Sequence, residues 1–159
     1  MVIKISVNKS QRDDKSDVCY LASQLELKVI RMTMNEKYFP KRARFVISNK
    51  IIECATDVAA NFIAANDIFP NNENKLEIRE KYQVIGKARF ASLKHELNVA
   101  HQLFNIPSGV MDEVFDLTSQ IDKKYSNWFK SGRKVLKREL AKQEAKNEPN
   151  QTDNLISEQ

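Results

Sequence analysis

Three prolines, Pro40, Pro70 and Pro107, interrupt a chain whose apolar residues otherwise recur at helical spacing. Proline fixes its own φ, lacks the N–H that a helix interior needs, and biases the preceding residue away from the helical region. A helix is therefore expected to end near each of them, leaving four long segments. Glycine is as scarce as proline, with 3 and 4 residues, while 30% of the chain is charged. Such a composition, rich in Leu, Ile, Ala, Lys and Glu, is that of a helical bundle.

The segments follow in order. After a short β-like alternation, residues 1–15 crowd Lys9, Arg12, Asp13, Asp14 and Lys15 together, the pattern of a flexible arm or a single added strand. From residue 16 onward Val18, Leu21, Ala22, Leu25, Val29 and Met32 recur at helical spacing, with Ser16 or Asp17 as the cap, predicting a helix to about residue 37. Next comes the corner at 38–45, Tyr-Phe-Pro-Lys-Arg-Ala-Arg-Phe. A second helix is predicted over 41–65 with a wide stripe of Phe45, Ile51, Ile52, Ala55, Val58, Ala59, Phe62 and Ile63. A stripe that wide predicts more than one neighbour, another subunit among the candidates. Asn66 to Asn72 read as a loop.

A third helix is predicted over 73–105, with Gly86 at its middle as a mark of close packing. Ser108 is expected to cap a fourth helix that reaches Phe129. Gly132 offers an end, although Val135, Leu136 and Leu140 keep enough periodicity for 133–146 to continue as a charged helix. The expected architecture is all-α: an antiparallel up-down-up-down four-helix bundle over 16–134, a flexible arm at 1–15, and a charged extension with a disordered end over 135–159.

Function classes narrow by spacing. His95 and His101 lie six apart, about 240° around a helix, so they do not form the four-apart pair of a zinc protease. No repeated Glu-x-x-His pair is present for a di-iron centre, and the three glycines, far apart, make neither a phosphate loop nor a nucleophile elbow. Asp112, Glu113 and Asp116 share one exposed helical turn and read as solvated charge. The expectation is a protein with no catalytic residues, metal or cofactor. Cys19 and Cys54 read as reduced core residues of a cytoplasmic protein, and no segment approaches the roughly 20 apolar residues that span a bilayer.

Net charge is +5. From Val135 onward acids outnumber bases by one, so the positive excess belongs to residues 1–134. Candidate phosphate contacts are Lys41, Arg42, Arg44 and Lys50 on the second helix and Lys87, Arg89 and Lys94 on the third. Lys123, Lys124, Lys130 and Arg133 complete the set on the fourth. Convergence of these residues on one face would make a salt-sensitive nucleic-acid surface. The alternative is scattered solvated charge with a few i,i+4 pairs. Phe45, Phe62, Phe90, Phe104, Phe115 and Trp128 read as core or interface, so binding through backbone and shape, without sequence specificity, is expected.

The Phe39-Pro40-Lys41-x-x-Arg44-Phe45 corner with Ile51 or Ile52 after it, the alanine-rich end of the second helix, and the segment Ile121-Asp122-Lys123-Lys124-Tyr125-Ser126-Asn127-Trp128-Phe129-Lys130 resemble a known family. They are similar to the accessory variability determinant (Avd) proteins of diversity-generating retroelements, over roughly residues 17–133. The resemblance implies a four-helix bundle assembled into a basic, barrel-like homopentamer. It also implies association with a reverse transcriptase and its template RNA, and no enzymatic activity. Lys41, Arg42 and Arg44 match the family's basic corner and Trp128 its late tryptophan. Ser126 and Asn127 stand where the family often has two glycines. A similar bundle and Phe-Pro corner occur in proteins encoded within ribosomal-RNA intervening sequences, which gives the alternative of a structural or protein-interaction bundle.

Overall fold

The computed structural model describes residues 17–147, and the expectations placed on the arm and on the end of the chain lie outside them. Four helices pack against one another, and no strand occurs among the described residues: α1 (Val18–Met34), α2 (Asn49–Asp67), α3 (Glu73–Leu103) and α4 (Ser108–Asn147). Each packs on the next in chain order, and α4 closes the bundle against α1.

Side-chain contacts give the register and show every neighbouring pair of known direction to be antiparallel. Lys28 of α1 pairs with Glu113 near the start of α4, while Asp17 and Val18 lie beside Ser131. Between α2 and α3, Asp57 pairs with Arg89 and the Ala65 carbonyl meets Arg79. Between α3 and α4, Glu80 pairs with Arg133 and Lys94 with Asp122. The core runs the length of the bundle through Leu25, Val29, Ile51, Val58, Phe62, Phe90, Leu93, Leu97, Met111, Val114 and Ile121, all at most 1% exposed.

Local chemistry sets the ends. The Asp17 carboxylate accepts from the Cys19 N–H at 3.4 Å, capping α1, and the Asn72 side chain accepts from the Lys75 N–H at 2.9 Å, capping α3. At the start of α4 the Pro107 carbonyl accepts from the N–H groups of Val110 and Met111, at 3.0 and 3.2 Å. Ser108 is already the first helical residue, so it does not occupy the expected cap position.

Two expectations about boundaries change, and the choice left open at Gly132 is decided. The first helix stops at Met34 rather than near residue 37, because Asn35 turns extended and its carbonyl takes the N–H groups of Tyr38 and Phe39 instead. The second helix does not begin at residue 41. Lys41–Ala43 form a 3₁₀ turn and Arg44–Ser48 a π-helical turn before α2 starts at Asn49. The change of winding separates the two aromatics that bracket the corner. Phe39 is fully buried against Phe104, with ring centroids 5.1 Å apart, whereas Phe45 is 85% exposed. Finally, Gly132 does not end the fourth helix. It is buried where an added Cβ would lie 3.0 Å from Leu76 Cδ1, so α3 approaches closely there and α4 continues to Asn147.

Candidate functional site

The eleven cations read from the sequence fall into three environments. Those on α3 are tied down by acids of neighbouring helices. Lys87 and Lys94 both bind the Asp122 carboxylate, Lys94 at 2.7 Å, and the Arg89 Nε lies 3.1 Å from Asp57. Both lysines also sit over aromatic rings, 4.8 Å from Nζ to the centroid for Lys87 over Tyr125 and for Lys94 over Phe90. Burial alone would push the Asp122 carboxyl up, but the hydrogen bonds from the two lysines outweigh it and hold the group below its ordinary value. This cluster is spent on holding α3 to α4.

At the corner, Lys41, Arg42 and Lys50 are exposed, and Lys41 Nζ lies 3.8 Å from Glu36. The expectation placed on the Arg44 side chain lies outside the described residues. Phe45 and Val46 are exposed beside these cations, so of the two places expected for Phe45, core or interface, the core of this bundle is not the one it takes.

The third environment is α4. Between Lys123 and Arg138 the sequence holds Lys123, Lys124, Lys130, Arg133, Lys134, Lys137 and Arg138 and no acid. Because α4 is one helix across Gly132, Lys123, Lys130, Lys134 and Lys137 recur at i, i+7, i+11 and i+14 on one face, and all four are exposed. At 1.5 Å per residue they span about 21 Å, with exposed Arg138 beside them. None of these five makes an ion pair among the described residues. Arg133 differs: its Nε and Nη2 clamp the Glu80 carboxylate at 2.7 and 3.3 Å. Lys124 is half-buried in the cleft beside Asp17, Val18 and Trp128.

The predicted cations therefore differ in how far acids of the same chain neutralise them. Lys134, Lys137 and Arg138 are not among the predicted contacts: drawing the boundary at Val135 places Lys137 and Arg138 in a separate, acid-leaning extension. The signal that finds them is the acid-free run itself.

Beneath the ridge an aromatic cluster fixes α4. Trp128 and Tyr125 pack on Phe62 at 5.1 and 5.8 Å, and Tyr125 Oη donates to the Gln83 carbonyl at 2.9 Å. Burial pushes the Tyr125 hydroxyl up to about 12, so it stays a donor at any physiological pH. Cys19 and Cys54 are free and buried, as expected. Burial, assisted by Asp17, pushes the Cys19 thiol up to about 12, and its Sγ donates to the Phe62 carbonyl at 3.3 Å. A thiol held protonated in this way is a poor nucleophile.

No described helix is long and apolar enough to cross a membrane. Comparison of the chain with protein-family models, with curated proteins and with solved structures gives no match.

Proposed function

We propose that this chain is a non-catalytic nucleic-acid-binding protein that contacts phosphates through the exposed ridge of α4 and serves a reverse transcriptase and its template RNA in a diversity-generating retroelement. The single observation behind the nucleic-acid part is the ridge: five exposed cations with no acid among them, spread along one rigid helix. Its length of about 21 Å covers about six phosphate spacings of a duplex strand. Four of its five cations are lysines, which meet phosphates as point charges, so recognition of the backbone, independent of sequence, is the fitting mode. The retroelement part rests on the sequence resemblance at the Phe39–Pro40 corner and around Trp128. An oligomer belongs to the same reading.

One observation favours the alternative of a protein-interaction bundle: the third-helix cations are already neutralised within the chain. Titrating labelled RNA and DNA of unrelated sequences at several salt concentrations separates the two. Engagement of the five ridge cations gives a slope of log affinity against log salt of about −4.5 on duplex DNA, a loss of several hundred-fold between roughly 50 and 200 mM. Undetectable affinity at low salt, or affinity indifferent to salt, removes the nucleic-acid reading. A reverse transcriptase gene beside paired template and variable repeats supports the retroelement assignment, and a neighbourhood without one removes it.

A further inference from the structure

At one end of the bundle two helices outrun the other two. α1 begins at Val18, beside Ser131, and α2 ends at Asp67, where Arg79 meets its last turn. The start of α3 and the part of α4 beyond Ser131 therefore extend past both, and their core-facing stripes extend with them. On α4, Ile121, Tyr125, Trp128, Gly132, Leu136 and Leu140 recur three to four residues apart. On α3 the buried series Phe90, Gly86, Gln83 and Arg79 continues to Leu76.

Between the two extensions lies a groove of about 740 Å³, with Leu76, Leu136, Leu140 and Ala141 on its walls. Leu140, 37% exposed, and the exposed Ala141 keep apolar surface in water there and lose favourable burial. The charges around the groove are Glu73, Glu77, Glu80 and Glu144 against Arg133 and Lys137. Arg133 is taken up by Glu80 at 2.7 Å, which leaves three glutamates and one lysine.

α1 runs antiparallel to α4, so its N-terminal end opens toward the later turns of α4. Leu140 stands nine residues past Ser131, about 14 Å along the helix. Val7 stands ten residues before Asp17, a reach of up to about 33 Å. Ile3, Ile5 and Val7 alternate with Lys4 and Ser6, so an extended segment there has one apolar side about 13 Å long. The helix from Leu136 to Glu144 measures about 12 Å.

We propose that residues 3–9 of the same chain lie in this groove, with Ile3, Ile5 and Val7 on Leu136, Leu140 and Ala141, and Lys4 and Lys9 at the rim beside the glutamates. The direction of α1 and the charge together select this occupant. Residues 1–16 carry four bases and two acids, whereas residues 148–159 carry three acids and no base and would add to the acid surplus. Seated there, the arm continues the core past the start of α1 and braces the part of α4 that holds Lys134, Lys137 and Arg138. Its docking is independent of nucleic-acid binding.

Disulfide capture on the full chain tests it. One cysteine is placed in the arm by Ile5→Cys and one in the groove by Leu140→Cys, with oxidised glutathione as the oxidant. The contrast is Ile5→Cys with Arg138→Cys, since Arg138 is exposed at nearly the same height of α4 but about 160° around it. Cys19 and Cys54 are buried, so the parent chain gives the background. Helical circular dichroism matching the parent chain verifies folding of each variant. The Leu140→Cys pair is expected to close within one chain at least about tenfold faster than the Arg138→Cys pair, because docking raises the local concentration of the arm thiol. Adding Ile3→Asp and Val7→Asp is expected to remove that preference. Equal rates at the two positions overturn the proposal, as does a preference that survives the two aspartates. A disulfide that forms mainly between chains overturns it too, because a second copy then fills the groove. So does faster closure on deleting residues 148–159, since that segment then competes for the same place.

Discussion

Gly86 of α3 lies so close to Phe62 of α2 that a Cβ added to it falls 2.6 Å from two carbons of the ring. The ring has little freedom to step aside. Phe62 is fully buried, with Trp128 and Tyr125 packed on it at 5.1 and 5.8 Å. Alanine is the better helix former by about 1 kcal/mol, so Gly86→Ala sets intrinsic propensity against packing. Packing is expected to win, because forcing a methyl into a filled interface costs about 1–3 kcal/mol, which leaves a net loss of up to about 2 kcal/mol after the helix gain. Urea unfolding should show a lower midpoint at unchanged slope. A raised midpoint would mean that α2 and α3 separate without cost.

Arg79 is a second point at which α3 holds α2. Only 7% exposed, its Nη1 donates to the carbonyls of Ala65 and Ile68, at 2.9 and 3.0 Å, and its guanidinium carbon lies 5.8 Å from the Trp128 ring centroid. The Ala65 carbonyl in the last turn of α2 otherwise takes only the Ile68 N–H, at 3.3 Å, and the Ile68 carbonyl lies just past the helix end. Removing the guanidinium in Arg79→Ala takes a charged donor from both and is expected to cost about 1.5–3 kcal/mol. Arg79→Lys should recover only part of the loss, since an ammonium keeps a donor for the carbonyls but lacks the planar guanidinium face that lies over the Trp128 ring. Thermal melts of the three chains rank them, and a lysine variant as stable as the parent would reduce the role of Arg79 to its charge.

These two contacts mark what the sequence makes legible. Proline punctuation and helical periodicity suffice for four antiparallel helices, because both act within a few residues along the chain. Gly86 is readable as a packing glycine since a mid-helix glycine needs a reason. Phe45 is not readable, because the 3₁₀ and π turns between Pro40 and Asn49 change the winding and carry the side chain off the buried face. Neutralisation of Lys87, Arg89 and Lys94 depends on Asp57 and Asp122, far away in sequence and adjacent only after folding. At Gly132 of α4 the sequence leaves both an end and a continuing helix open, because an isolated helical glycine costs about 1 kcal/mol and the contact with α3 that offsets it is not visible along the chain.

Asp122 gives the bundle a pH response of defined sign. Its carboxyl is held below the ordinary value of 3.8 in the folded chain by Lys87 and Lys94, despite the opposing effect of burial. The stability it contributes is therefore fully present above the unfolded value and is lost as pH falls through the folded one. With side chains 36–39% exposed, the pairs are expected to be worth no more than about 1 kcal/mol at neutral pH. Asp122→Asn should lower stability slightly at pH 7 and converge with the parent chain in strong acid. Unfolding curves collected from neutral pH to below 3.8 check this. Curves that stay parallel over that range would show that Asp122 has no shifted titration.

The ridge of α4 makes the sharpest demand on the nucleic-acid reading, because it predicts which cations matter. Lys123, Lys130 and Lys134 are exposed and make no ion pair among the described residues, so replacing all three by Ala removes up to three phosphate contacts. The slope of log affinity against log salt should become shallower by about 2.7 on duplex DNA, and by about 2.1 on single strands. Affinity should fall for every sequence alike, as expected of contacts to the backbone. Lys87 and Lys94 serve as the internal contrast. Both are engaged by Asp122, so their replacement by Ala should change the slope by less than one unit while lowering stability. Equal effects per charge removed in the triple and the double variant would mean that total charge, rather than the arrangement along α4, drives binding. A larger effect from the α3 pair would move the binding surface to the opposite side of the Lys–Asp122 cluster and overturn the assignment of the ridge.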